Sequence, residues 1–283
     1  MSVSITECPR DAMQGLGKWI PTDVKAKYIN QLLEVGFDVI DFGSFVSPKA
    51  IPQLKDTSEV LKNLKLDTNS SKLLAIVANE RGSEDASKFE EIYFQGYPFS
   101  ISSTFQMRNT NSSIEDSLTR VERINSIAQH NNQELLIYIS MAFGNPYGDD
   151  WSPDLASNWI ERLNIEFGVT NFALADTVGI STVKTIQDMF KTIIPSFTNL
   201  NIGAHLHSTP ETTQEKVNAA YEAGCRSFDS AINGLGGCPM AEDNLLGNVD
   251  TITLLNSLPE SETTRINFSE FGKAVTESAE VFK

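Results

Sequence analysis

A (β/α)8 TIM barrel with an additional C-terminal helix is the fold class this sequence predicts, and three observations carry the prediction. Eight short runs rich in Val, Ile, Phe and Leu alternate with longer amphipathic stretches, as parallel βαβ units require. The strand starts recur at 26 to 37 residues, enough for one right-handed crossover each. No Gly/Ser linker or break in composition divides the 283 residues, so they read as one domain: a barrel over about 1–258 and a helical extension over about 259–283. A doubly wound open sheet is the alternative arrangement of the same units.

The strands are expected at "VSITEC" (3–8), "FDVIDFG" (37–43), "KLLAIVA" (72–78) and "PFSISST" (98–104). They continue at "ELLIYISMAF" (134–143), "NFALAD" (171–176), "NIGAHLH" (201–207) and "SFDSAI" (227–232). Helical periodicity fills the gaps in "TDVKAKYINQLLEVG", "SIEDSLTRVERINSIAQHNN", "SPDLASNWIERLNIEFG" and "TTQEKVNAAYEAG". Several of these open on Ser or Thr and close on Gly, as helix ends prefer, and "SIED" at 113–116 has the form of a capping box. Strand four and the short helix before it carry the weakest pattern. "NFSEFGKAVTESAEVFK" (267–283) is the extra helix, expected to cover an open edge or a partner and to support a homodimer.

A hydrophobic content of 40% is enough for a large core. The net charge of −15 opposes nonspecific nucleic-acid binding and adhesion to anionic membranes. An anionic substrate would need a local cluster of cations, a metal or helix N-termini. The first residues have no basic stretch followed by an apolar core, and no apolar run approaches the ~18 residues of a membrane span. Cys8, Cys225 and Cys238 are scattered without CxxC spacing, which fits a reducing cytoplasm rather than a disulfide framework.

In such a barrel the chemistry sits at the C-terminal strand ends. Arg10 and Asp11 follow strand one, and Asp41 and Ser44 close strand two. Asp176 ends strand six, and His205 and His207 end strand seven. "NGLGGCPMA" (233–241), with Cys238, follows strand eight, and Asn248 lies beyond it. Strand alternation would put both imidazoles on one face, with Leu206 on the other, where they can close on one ion. Taken singly, each residue has a plainer use: Asp as a helix cap, Arg10 as a surface ion pair, "GLGGCP" as a turn, the histidines hydrogen-bonded at a strand end. Five separate stretches meeting at one rim favour a site. Two imidazoles, a carboxylate and an amide oxygen make a mixed N/O set that suits Mg²⁺ or Mn²⁺ and also admits Zn²⁺. An Arg beside such an ion stabilises an oxyanion, the requirement for carbon–carbon cleavage next to a carbonyl.

"CPRDAMQG", "VIDFGSFVSPKAIPQL", "ALADTVG", "GAHLHSTP" and "GLGGCPMA…GN" resemble, in that order, the motifs of the 3-hydroxy-3-methylglutaryl-CoA lyases. That family belongs to the metallolyase branch of TIM barrels, which also holds isopropylmalate and homocitrate synthases. The resemblance runs to about residue 255, and "SFVSPK" and "GLGGCP" are its most specific stretches. It implies a divalent-metal site of Asp11, His205, His207 and Asn248, an acyl-CoA substrate, and Arg10 as the group that stabilises the enolate of the leaving acetyl-CoA. It also implies Cys238 as a proton donor on a loop, Asp41 in place of a family Glu, Asp176 and Gln14 as matched site residues, and leucine degradation as the usual pathway. Ser208 and Pro210 after the histidines, and Ala12-Met13 after the Asp, depart from the family pattern without touching a ligand. The segment from Cys238 to Asn248 is also one residue longer than expected. Lys18, Lys49 and Asn109 are the candidates for holding CoA. A Claisen-type synthase or aldolase of the same branch, a non-catalytic acyl-CoA-binding barrel and a cysteine hydrolase built on Cys238 are the competing readings.

Overall fold

Each repeat of the chain is a short strand buried on both faces, followed by a helix laid along its outside. The structure, a computed structural model, describes residues 2–66, 71–237 and 246–283. It opens with β1 (Ser4–Glu7), α1 (Pro9–Gln14), α2 (Thr22–Leu33), β2 (Val39–Ser44), α3 (Thr57–Leu61), β3 (Lys72–Ile76) and α4 (Glu80–Ala86). β4 (Ile92–Ser100) leads to α5 (Ser103–Thr110) and α6 (Ile114–His130), β5 (Glu134–Ser140) to α7 (Pro153–Phe167), and β6 (Asn171–Ala175) to α8 (Val183–Ser196). β7 (Asn201–His205) is followed at once by the two-residue β8 (His207–Ser208) and then α9 (Thr213–Glu222). β9 (Ser227–Ser230), β10 (Gly247–Asn248), α10 (Thr251–Ser257) and α11 (Phe268–Val281) complete the described strands and α-helices.

β1 to β7 and β9 pair in parallel and in order, and β9 closes on β1 from Ser4↔Ser227 to Glu7↔Ser230. The barrel is closed, so the doubly wound alternative falls: it needs two unpaired sheet edges, and here each barrel strand has two neighbours. Closure makes two apolar layers. Val39, Leu74, Tyr138 and Ala173 fill the inside, with Ile76, Phe94 and Leu136 partly buried against them. Residues of the opposite parity, such as Ile40, Ile137 and Phe172, pack outward against Leu32, Val121 and Ile160 of the helices. The capping box at Ser113 forms as expected, with the Asp116 amide donating to Ser113 Oγ at 3.0 Å.

Three expectations are corrected. Strand four runs over Ile92–Ser100 rather than 98–104, because Gln95 and Gly96 disguise a buried strand. Gln95 is tolerated there since its amide donates to Ser87 and Gln133. The seventh strand stops at His205, and His207 enters a separate ladder, antiparallel to β10. Finally, the C-terminal helix covers no open edge. It docks on α2 and buries Phe271 and Ala274, with Phe271 edge-on to Phe37 at 6.3 Å.

Glu7 ends β1 with a buried side chain. One carboxylate oxygen accepts the Ile232 amide at 2.8 Å and the other the Thr251 hydroxyl at 2.6 Å, which ties together both roots of the chain between β9 and α10. Burial pushes its pKa up to about 8, against these hydrogen bonds. The folded state therefore binds a proton that the unfolded chain releases above about pH 4.5, and stability falls as pH rises from there to about 8. Glu7→Gln keeps an acceptor for Ile232 and removes this loss. Urea midpoints should show the variant more stable than the parent by about 1–3 kcal/mol at pH 8.5, with the difference shrinking towards pH 5. A variant less stable at both pH values contradicts the assignment.

Candidate metal centre and active site

Pro9 at the first position of α1 fixes the turn out of β1, so Arg10 and Asp11 follow directly at the barrel mouth. His205 closes β7 and His207 opens β8 two residues later. Ligand atoms of Asp11, His205 and His207 lie within 4.8 Å of one another. The imidazoles thus converge as expected, by a break at Leu206 rather than by alternation along one strand. Their rings stand nearly perpendicular, with centroids 5.2 Å apart.

Each ring is oriented through Nδ1. His205 Nδ1 pairs with Asp229 Oδ2 at 3.0 Å, and His207 Nδ1 lies 2.8 Å from the backbone oxygen of Asp176. A carbonyl only accepts, so the His207 proton sits on Nδ1 and Nε2 presents its lone pair. That Nε2 is buried with no hydrogen-bond partner. Leaving such an atom unpaired costs about 1–3 kcal/mol, and a cation among these three side chains satisfies it. Burial, then the neighbouring His205, lowers the His207 pKa and keeps the ring neutral, the ligating form. Burial also works against protonated His205, but the Asp229 carboxylate outweighs it and raises that pKa. Burial pushes the Asp11 carboxyl up, yet Arg10 first and the two imidazoles next bring it down to about 2. An ionised Asp11 beside the bare Nε2 of His207, with the His205 ring adjoining, fits a divalent cation.

Asn248 reaches the cluster through the β8–β10 ladder, where it pairs with His207. Its amide nitrogen donates to Asp11 Oδ2 and to Leu235 O, each at 2.7 Å, leaving Oδ1 as the ligand atom on offer. Glycine is required for this approach. A Cβ on Gly236, where φ is +92°, would stand 2.8 Å from the Asp11 carbonyl, and one on Gly247 would meet the Gly234 carbonyl at 2.0 Å.

Arg10 is held from three sides. Nη2 donates to Asp41 Oδ2 at 2.5 Å, Nε to the same carboxylate at 2.9 Å, and Nη1 to Asp11 and Gln14 at 2.8 Å each. Burial raises the Asp41 carboxyl to about 6 despite the guanidinium. Arg10, which burial alone would bring down, is driven further up by Asp41 and Asp11. The pair is ionic at neutral pH, and Asp41 aims the guanidinium at the metal side of the mouth. Gln14 completes the ring by donating to Asp11 Oδ1 at 2.6 Å.

Other expected residues lie differently. Ser44 is buried and its hydroxyl donates to the Ile76 carbonyl at 3.2 Å. The Asp176 side chain turns from the Asp-His-His cluster to Ser181 and Lys216, and only its main chain meets the histidines. Lys18, Lys49 and Asn109 are exposed. Cys238 lies outside the described residues. Cys8 and Cys225 are free and buried, with thiols that burial holds protonated. The sequence reading missed Asp229, Lys216 and Tyr138. Asp229 was legible as an acid in an apolar strand, in register with inward-facing Thr6. Tyr138, edge-on to His205 at 5.3 Å with a buried, unpartnered hydroxyl, looked like one more core aromatic.

A closed parallel barrel with an Asp-His-His cluster at its C-terminal mouth defines a metal-binding barrel of the enzyme type. The profile of the HMGL-like family matches residues 4–274, and the chain belongs to that family, which is metal-dependent. It is 32% identical over 257 residues to the hydroxymethylglutaryl-CoA lyase of Bacillus subtilis, spanning 90% of this chain and 84% of that one. It is 31% identical over 255 residues to a Pseudomonas aeruginosa 3-hydroxy-3-isohexenylglutaryl-CoA/hydroxymethylglutaryl-CoA lyase, over 88% and 83% of the two chains. The solved Bacillus subtilis HMG-CoA lyase superposes with a TM-score of 0.90 at 30% identity over 100% of this chain and 94% of that one. An HMG-CoA lyase of Acinetobacter baumannii, solved with coenzyme A and 3-methylmalate, gives 0.89 at 28% identity over 99% and 91%.

Asp229→Asn removes the charge behind His205 and should weaken Mn²⁺ binding about 10-fold or more in calorimetric titration. Asp11→Ala should abolish binding, and substituting the exposed His130 should leave it unchanged. Unaltered affinity in Asp229→Asn would count against the cluster as a metal centre.

Proposed function

We propose that the protein is a divalent-metal-dependent carbon–carbon lyase that cleaves 3-hydroxy-3-methylglutaryl-CoA to acetyl-CoA and acetoacetate. The observation that carries this reading is the bare, buried Nε2 of His207 facing Asp11 and His205, with Arg10 locked beside them. Family membership and the lyases among its relatives support it. Asp11, His205, His207 and Asn248 would hold the ion, Mg²⁺ or Mn²⁺ by the hardness of its donors. When bound, the ion supplies Lewis acidity to the substrate oxygens.

The chain's own groups divide the rest of the work. The substrate's 3-hydroxyl gives up its proton to the buried cluster, in which Asp176 has no part, its oxygens being taken by Ser181 and Lys216. The alkoxide collapses to the ketone of acetoacetate, the C2–C3 bond breaks, and its electron pair passes to the thioester as an enolate. Arg10, unable to lose its proton, holds the enolate oxygen. A proton returned to C2, from Cys238 on the resemblance, completes acetyl-CoA. The inward face of the wall is asymmetric: Thr6, Asp41, His205 and Asp229 make a polar sector on the adjoining strands β1, β2, β7 and β9, while Leu74, Ile76 and Ala173 make an apolar sector on β3 and β6. The polar sector takes the carboxylate and hydroxyl of the substrate, and the apolar sector faces the C3 alkyl group. The same reading places the enzyme in the cytoplasm, which the buried free thiols of Cys8 and Cys225 suit, and, on the resemblance alone, in leucine degradation.

Acetoacetate release from hydroxymethylglutaryl-CoA with Mg²⁺ should be abolished by EDTA and restored by added metal. Arg10→Gln should lower kcat by at least about 100-fold with metal content little changed. Condensation of a keto acid with acetyl-CoA in place of cleavage would support a synthase, and binding without turnover would leave only an acyl-CoA-binding barrel. A panel of C3-alkyl homologues would measure how much chain the apolar sector accepts.

A further inference from the structure

Lys216 is a buried lysine on α9, outside the barrel wall behind His207. Lysine is almost never fully buried without partners. All three ammonium hydrogens here have acceptors: Asp176 Oδ2 at 3.0 Å, the His207 carbonyl at 2.8 Å and the Gly179 carbonyl at 3.2 Å. Asp176 is equally committed, accepting the Ser181 hydroxyl at 2.5 Å and the Ser181 amide at 3.1 and 3.2 Å. Neither side chain has an atom free for a substrate. The main chain of Asp176, however, touches both histidine segments: its amide donates to the His205 carbonyl at 2.9 Å, and its carbonyl accepts His207 Nδ1.

We propose that Lys216 is a positioning residue for the metal centre, fixing the direction of His207 Nε2 by gripping both the His207 carbonyl and, through Asp176, the acceptor of its Nδ1. The proposal rests on Asp11, His205, His207 and Asn248 being the ligands. One ion pair holds His207 at two points, so the imidazole can neither rotate about its own ring bond nor shift with its backbone. A buried ion pair is a poor stabiliser, and an apolar residue of the same volume does as well. Its contribution here is geometric, and it extends the orienting role that Asp229 has for His205 by one further bond.

The test compares the full chain with Lys216→Met and with Lys216→Met/Asp176→Asn, reading thermal midpoint, Mn²⁺ affinity from the free-ion EPR signal, and kcat and KM at saturating metal. Lys216→Met, folded by circular dichroism, should bind Mn²⁺ about tenfold or more weakly and lose kcat, with KM within about twofold of the parent. Should it fail to fold, the double variant carries the test, since it leaves no unpaired buried charge: its midpoint should recover and its Mn²⁺ affinity should not. Parental Mn²⁺ affinity in either folded variant overturns the positioning role. A parent protein that binds no Mn²⁺ overturns the ligand reading beneath it, a result distinct from the first.

Discussion

The site depends on one hydrogen bond, from His207 Nδ1 to the backbone oxygen of Asp176. It decides which nitrogen carries the proton and leaves Nε2 bare in the buried mouth. The bond is possible only because the chain turns at Leu206. A continuous strand would have aimed His207 by alternation alone and left its carbonyl in the barrel ladder. The turn instead frees that carbonyl for Lys216 and sets His207 in the short ladder with Asn248. Tautomer, ring direction and the approach of Asn248 to Asp11 follow from one local break.

Charge is arranged on the same principle. A chain of net charge −15 is a poor host for an anionic thioester unless positive charge is concentrated where it is needed. Arg10 is that concentration. It is buried against two carboxylates, so its charge is partly neutralised until a cation joins Asp11. A cation held by Asp11 would leave the guanidinium's field less cancelled on the side facing the mouth. On the proposed reading the ion and the arginine would be complementary parts of one electrostatic design, with Asp41 as the fixed counter-charge that keeps Arg10 in place.

Much of the fold was legible because its signals are local and repeated. Eight apolar runs at crossover spacing leave few topologies, and the capping box at Ser113 forms as the letters suggest. β4 was misplaced because Gln95 and Gly96 look like loop residues. Gln95 is acceptable only because Gln133 and Ser87, distant in sequence, satisfy it. In the site, Arg10, Asp11, His205, His207 and Asn248 were legible as polar residues at strand ends, a topological rule that needs no distances. Lys216 was not. In "TTQEKVNAAYEAG" it reads as one more solvated charge on an amphipathic helix, and nothing local tells a lysine in water from one turned inward to an aspartate forty residues away.

The glycines after β9 show how far such reasoning reaches. As letters, "GLGG" signals only a turn. In the structure, Gly236 lies where any side chain would strike Asn248, the Asp11 carbonyl and Ala12 Cα, and Gly247 lies against the Gly234 carbonyl. The segment before residue 238 is thus pressed onto α1 at backbone contact, and the segment after residue 245 is pressed onto the first at Gly234. Glu7 binds the roots of the same excursion from below, through Ile232 and Thr251. A connection that need only return the chain from β9 to α10 would not require this. The close approach is explained if residues 233–237 and 246–248 stand at the site, tied to a buried acid through Ile232 and Thr251, with Asn248 brought to Asp11.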